Sequence, residues 1–345
     1  MATSEPLVVG VIFPAKKIAR LQEVLDVEEE GVRFVLIDLE AATPSGGSVT
    51  DAELQAAADR FDARYGQLDA LLHKLAHDMV FGELGDRQAD SRVRLVQEFL
   101  RRHPTVRVVD PIDSVRLLTD RHAACRMLQT LQQQTQTQRF KVPNFQVVES
   151  PQQFQTLLAE LDAGRTRLPL ICKSVEACAT DRSHMMSVIT KREDLHYVEY
   201  PALYQEFINH SSRLFKGYVL GDTINVAERR SLPNLVAGTA QRVHFNTQEK
   251  YPTSKDFHPH ADDATSQDEV VNGWTQEEIF TVVRTIGKRL RDELKLTLFG
   301  FDVIVADDGT QDLYVIDVNY FPSYRELDDL SAILRKHVKQ LCGRQ

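Results

Sequence analysis

The stretch "LYVIDVNYFPSY", residues 313–324, begins as a buried strand, with apolar side chains at alternate positions. Asp317 and Asn319 then stand where that alternation calls for apolar residues. A carboxylate taken into a core without a partner costs roughly several kcal/mol, so something must face it. The preceding strand-like run "LFGFDVIVAD" ends in the turn "DDGTQD" and returns as this stretch. A hairpin of that length sets Asp302 beside Asp317 and Asn319. Three oxygen donors without His or Cys suit a hard cation, and Mg²⁺ fits best because it retains waters and shares its sphere with phosphates. The alternative is two unrelated carboxylates on a solvated face, which the otherwise strongly apolar strands disfavour.

Outward from the hairpin, "WTQEEIFTVVRTIGKRLRDEL" is patterned as an amphipathic helix starting at or just after Trp274. Residues 246–273 have few apolar side chains and read as a long mobile loop. "LFKGYVLGDTINVAERR" is a hairpin turning at Gly221 and Asp222. "PLICKSV", "HMMSVI" and "ALYQEFIN" are strand-like, and "DSVRLLTDRHAACRMLQTLQQQ" reads as one helix capped by Asp113, with 132–138 a solvent-facing connection. In the first third, "LVVGVIF", "RFVLIDL", "LDALLHKLA" and "TVRVVDP" alternate with helical segments, and "TPSGGS" at 43–48 marks a loop. That rhythm predicts a small parallel sheet flanked by helices. The chain divides at 1–111, 112–204 and 205–345.

Composition narrows the possibilities. The 345 residues are 42% hydrophobic and 26% charged, and the formal charge of −9 argues against a general nucleic-acid binder. A locally basic cleft would still attract a polyanion. No run approaches the ~18 apolar residues of a membrane span. Cys125, Cys172, Cys178 and Cys342 form no CxxC pair, so reduced thiols in a cytoplasmic protein are expected and a zinc site is not.

Lys173 ends the apolar strand of "LPLICKSVEAC". It either reaches solvent or, as in other nucleotide sites, points at metal-bound phosphates. No GxxxxGK[ST] sequence occurs, nor any HRD…N or DFG set, which excludes P-loop and protein-kinase readings. Gln205, Glu206, Phe207 and Ile208 form either a plain strand or an extended linker whose backbone pairs with an adenine edge.

Lys173, "QEFINH", "FGFDVI" and "VIDVNYFP", in that order, resemble the ATP-grasp fold. Within it the chain resembles the inositol 1,3,4-trisphosphate 5/6-kinase family, also called inositol-tetrakisphosphate 1-kinase. The likeness extends through "AKKIARL", "HKLAHD", "VVDPIDSVRLLTDR", "SHMMSV" and "FINHSSRLFKGYVLGD". It implies an α/β (α+β) chain: an ATP-grasp fold carrying an N-terminal Rossmann-like parallel α/β domain that binds inositol phosphate, with central and C-terminal ATP-grasp subdomains. It places metal ligands on Asp302, Asp317 and Asn319, holding two magnesium ions. ATP contacts fall on Arg121, Lys173, Gln205, Glu206, Phe207, Ile208, Lys216 and Ser231. Inositol-phosphate contacts fall on Lys17, Lys74, His184, Lys216, Arg229, Asn319 and Ser323. Lys173, His184 and Lys216 are the catalytic candidates of a phosphoryl transfer from ATP, in a monomer without nucleic-acid or membrane partners.

Two departures bear on the acceptor. "SVEACATDRSH" lacks the glycine usual in that loop, and Ser323 replaces a frequent glycine after Pro322. The rival readings are an ATP-grasp carboxylate–amine ligase and a non-catalytic inositol-phosphate-binding protein. Residues 174–183 and 246–273 are expected to close over the site.

Overall fold

The computed structural model describes residues 5–344 apart from 45, 47, 48, 135–139, 200 and 259–269. The 43–48 loop, the 132–138 connection and the 246–273 loop therefore fall partly outside the described residues.

The first third folds as its alternation requires. Strands β1 (Leu7–Ile12), β2 (Val32–Leu36), β3 (Ala70–His73) and β4 (Arg107–Val109) form a wholly parallel sheet in the order β2-β1-β3-β4. Helices Ala15–Leu25, Asp51–Tyr65 and Arg87–Arg102 lie in the crossovers. Thr50 and Glu53 close a capping box on the second, and Asp86 accepts from Gln88 and Ala89 at the start of the third.

Two further sheets follow. Strand β5 (Phe140–Lys141) crosses into the last sheet, whereas β6 (Phe145–Val148), β7 (Leu170–Ser174), β8 (Met185–Ile189) and β9 (Ala202–Glu206) build the middle one. Strands β10 (Arg213–Leu220) and β11 (Thr223–Arg230) form the expected hairpin, with Gly221 at φ +58° in the turn. Strand β12 (Val243–Asn246) returns to the middle sheet, giving the antiparallel order β12-β8-β7-β9-β6. A short ribbon, β13 (Val270–Val271) with β14 (Trp274–Thr275), precedes the helix Gln276–Leu294, which Thr275 and Glu278 cap. Strands β15 (Leu298–Val305) and β16 (Leu313–Tyr320) complete the last sheet, β11-β10-β15-β16-β5. The sheets thus exchange β5 and β12 across the chain divisions read from sequence.

Two expectations are corrected. The helix expected from Asp113 is two helices, Ile112–Leu117 and Arg121–Gln134, and Asp120 caps the second through His122 N and Ala123 N. Asp113 lies inside the first turn of the former, whose N-cap is Pro111. The 246–273 segment is not featureless either: Ser254–Phe257 is a helical turn whose Phe257 is buried against Leu235 and Phe245.

One apolar core joins the N-terminal sheet to the last sheet, while the middle sheet packs through two clusters of its own. The joint between first and last sheets is also polar. Tyr320 Oη donates to His73 O and accepts from Asp110 N, and the Asp110 carboxylate accepts from Thr297 Oγ1 and Leu298 N. Arg335, fully buried, donates from Nη2 to Val24 O at 2.8 Å and Val27 O at 2.7 Å. A cleft opens between the middle and last sheets. No helix among the described residues is long and apolar enough to cross a membrane.

Candidate functional site

Strict alternation from Leu313 and Val315 would bury Asp317 in the core. A bulge prevents it. Asp302 pairs with Asp317 but Val303 pairs with Val315, leaving Ile316 as the extra residue. Val315 and Val318 therefore both face the core, and Asp317 and Asn319 turn into the cleft beside Asp302. The carboxylates face cationic side chains.

Lys216 on β10 lies directly across from Asp302 on β15, and its Nζ stands 2.9 Å from Asp302 Oδ1. The contact is an ion pair rather than an aligned hydrogen bond, since that buried oxygen has no aligned donor among the described residues. The charge of Asp302 pushes the Lys216 pKa up against the effect of burial. Burial raises Asp302, with Asp317 adding to the rise and the Lys216 ammonium at contact distance opposing it. Burial also works against a charged Asp317. Arg121, Lys173, the Asn319 amide and Lys216 outweigh it, so its carboxyl sits below the usual range. Asn319 Nδ2 donates to Asp317 Oδ2 at 2.8 Å.

Lys173, at the cleft end of β7, donates to Gln205 Oε1 at 2.8 Å, and burial lowers its pKa. Beside it runs the 205–208 segment, all four residues of which line the cleft. Two of its backbone N–H groups are already used: Glu206 N donates to Asn144 O and Phe207 N to Pro169 O. Those two N–H groups are therefore not open to a ligand. Ser231 lines the same end, its Oγ bonded to His210 Nε2.

Arg121 is buried and lines the cleft, but it also spans the loop after Lys173. Its Nη1 donates to Ser174 O and Glu176 O, and its Nη2 to Ser183 O. The 174–183 segment expected to be loose is thereby pinned. His184, at the end of that loop, lines the cleft, and its carbonyl accepts from Thr247 N. Burial and the neighbouring Arg121 and Lys16 lower its pKa.

The acceptor-side candidates divide into two places. Lys17 Nζ donates to Pro322 O at 2.7 Å and lies 3.7 Å above the Phe321 ring, while Lys74 Nζ donates to Phe321 O at 2.9 Å. Burial, Lys74 and Arg20 together push the Lys17 pKa down to about 6. Both lysines thus sit on the turn that leads from Asn319 to Ser323, next to the cleft but outside its lining. Arg229 pairs with Glu326 and is likewise outside it.

The sequence reading missed His210, and it missed Tyr251, which lines the cleft from the 246–258 segment. Neither carries a local pattern that marks it. A second cavity of about 520 Å³ exceeds the cleft's 230 Å³, but its Arg291 is paired with Asp222 and Asp292. Size does not identify the site; converging charge does.

Among the described residues no three His, Cys, Asp or Glu side chains gather as a metal cage. Two carboxylates and one amide do gather, and one buried carboxylate oxygen lacks an aligned donor. That set suits a cation that keeps waters and phosphate oxygens as its remaining ligands.

A buried lysine ending a strand of the antiparallel middle sheet, the 205–208 segment beside it, and paired carboxylates on the mixed last sheet across the cleft have the layout of an ATP-grasp enzyme. The fold agrees with solved structures of that class. An ADP complex of N5-carboxyaminoimidazole ribonucleotide synthetase superposes with TM-score 0.60 at 13% identity, covering 100% of this chain and 80% of that one. The ATP-grasp ligase PsnB gives 0.55 at 13%, covering 98% and 100%. Residues 134–340 match the inositol 1,3,4-trisphosphate 5/6-kinase ATP-grasp domain. An inositol-tetrakisphosphate 1-kinase of Xenopus laevis is 30% identical over 81% of this chain and 69% of its own. The Zea mays inositol-tetrakisphosphate 1-kinase 1 is 32% identical over 79% and 75%. That of Danio rerio, at 28%, covers 96% of this chain and 78% of its own, so the likeness includes the N-terminal sheet. The chain belongs to the inositol 1,3,4-trisphosphate 5/6-kinase family, and it is a kinase that uses ATP.

Proposed function

We propose that this chain transfers the γ-phosphate of ATP to a free hydroxyl of an inositol tris- or tetrakisphosphate. The observation that carries the reading is the convergence of Asp302, Asp317 and Asn319 with Lys173 and Lys216 in one cleft of a family member. Asp302, Asp317 and Asn319 would hold magnesium, which, when bound, neutralises charge on the β- and γ-phosphates.

Lys173, aimed from β7, would stabilise the donor phosphates. Its buried setting makes that contact stronger than it would be in water. Lys216 would exchange its pairing with Asp302 for phosphate oxygens of donor or acceptor. The 205–208 segment would seat the base. His184 would meet the acceptor from the cleft wall, and Lys17, Lys74 and Ser323 from the turn after β16. Positioning and charge stabilisation supply most of the rate in such a transfer. A cytoplasmic location belongs to the same reading.

The ligase neighbours share only the fold, at 11–16% identity. Two lysines at the end of the metal strand favour a polyanionic acceptor over an amino acid. The test is to incubate the protein with Mg–ATP and a panel of inositol phosphates and to separate the products by anion exchange. A more highly phosphorylated inositol supports the reading; a panel returned unchanged refutes it.

A further inference from the structure

His210 follows the base-facing segment by two residues and is 3% exposed. Its Nδ1 stands 2.7 Å from Ile208 O and its Nε2 2.8 Å from Ser231 Oγ. A carbonyl only accepts, so the ring proton is on Nδ1. Burial pushes the imidazole down to about 4, which leaves the ring neutral at pH 7 and Nε2 a bare lone pair. Ser231 must therefore give its one hydroxyl proton to Nε2. The oxygen it presents to the cleft can only accept.

The backbone that carries the ring is held as well. Asn234 Oδ1 accepts from both His210 N and Ser211 N, and the Asn209 amide exchanges two hydrogen bonds with the backbone of Leu235. We infer that His210 is a positioning residue that makes Ser231 Oγ a dedicated acceptor for a hydrogen-bond donor on the nucleoside part of ATP. The inference rests on the ATP reading of the cleft and goes beyond it. Phosphate oxygens carry no proton to offer at neutral pH, so Ser231 is not a phosphate ligand. The available donors are the ribose hydroxyls and the exocyclic amine of the base.

The test is calorimetric titration of the whole chain with Mg–ATP, 2′-deoxy-ATP, 3′-deoxy-ATP and inosine triphosphate. One analogue, the one lacking the partner of Ser231, should bind about tenfold more weakly to the wild type. Ser231→Ala and His210→Phe should each lower ATP affinity to that level and erase the difference. The double variant should be no weaker than either single one. Equal binding of all four nucleotides by the wild type overturns the inference, as does a His210→Phe protein that discriminates as the wild type does. Loss of affinity equal for all nucleotides in His210→Phe, with discrimination kept, would mark a merely structural histidine. Should His210→Phe fail to fold, nitrogen-15 NMR of the wild-type ring decides: the Nδ1–H tautomer is expected, and an Nε2–H tautomer overturns the assignment. A wild type that binds no ATP sinks the functional reading itself, whereas ATP binding without discrimination sinks this inference alone.

Discussion

Asp317 shows how a residue can look wrong locally and be right in place. Its side chain is half-buried, with Arg121 and Lys173 supplying opposing charge and Asn319 a hydrogen bond. Read as an unpaired charge, its removal would leave stability unchanged or raised; read in the structure, its removal strands two buried cations. Asp317→Asn keeps the shape and is expected to cut turnover by about 100-fold or more, the scale of losing one stabilising group for a developing charge. Its thermal midpoint should fall rather than rise. Near-normal turnover with Mg–ATP would remove Asp317 from the chemistry. Lys17 gives a second, pH-dependent expectation. With a folded pKa of about 6 against an unfolded value of 10.5, the native state binds fewer protons than the unfolded one between those limits. Stability should therefore rise with pH across that window and be lowest below it. Lys17→Met should flatten the rise. A polyanion that draws the amine back to its charged form should take up a proton, so the binding enthalpy at pH 7.5 should depend on the buffer's ionisation enthalpy in the wild type and much less in Lys17→Met.

At the scale of elements, the site depends on strand contacts that only glycine permits. A Cβ on Gly217, next to Lys216 in β10, would lie 2.3 Å from the Phe301 ring, which neighbours Asp302 in β15. Gly217→Ala must displace that ring, at a cost of about 1–3 kcal/mol. We expect reduced urea stability and, because Asp302 moves with Phe301, a lower kcat; an unchanged protein would show that β15 adjusts freely. The loop after β7 makes the same point. Arg121 holds Ser174, Glu176 and Ser183 through their carbonyls, so Arg121→Gln should speed amide exchange across 175–184 while leaving the N-terminal sheet unchanged.

These elements also show what the sequence could reveal. The β15–β16 hairpin was legible because apolar runs and a Gly-containing turn are local signals, and so were its three oxygen donors. The bulge at Ile316 was not, since alternation carries no mark of an inserted residue until the pairing is known. The break between Leu117 and Arg121 was hidden because the apolar spacing continues across it, and Asp120 rather than Asp113 caps the following helix. His210 and Tyr251 escaped notice because their partners are not marked by any local spacing.

At the scale of the molecule, the first and last sheets act as one body. Their shared core is reinforced by Arg335, Asp110 and Tyr320, and by two lysines holding consecutive carbonyls of the turn after β16. Arg335→Met leaves the Val24 and Val27 carbonyls without their donor and should cost about 2–4 kcal/mol in denaturant unfolding. That loss should appear as a lower midpoint with one cooperative transition. A variant as stable as the wild type would show that the guanidinium is not a structural tie. The middle sheet, with its own two apolar clusters, faces this body across the cleft. Such an arrangement sets the carboxylates on one wall of the cleft and Lys173 with the 205–208 segment on the other.

The proposed reaction moves phosphate from ATP to an inositol polyphosphate in this cleft. The most direct measurement is a quenched single turnover with γ-labelled ATP, magnesium and an inositol tetrakisphosphate, following the label by anion exchange. Label is expected to leave ATP and appear in a more highly phosphorylated inositol, with matching ADP, and to stay in ATP with Asp317→Asn. Label released as inorganic phosphate only when a carboxylate and an amine are supplied, with none in inositol, would contradict it.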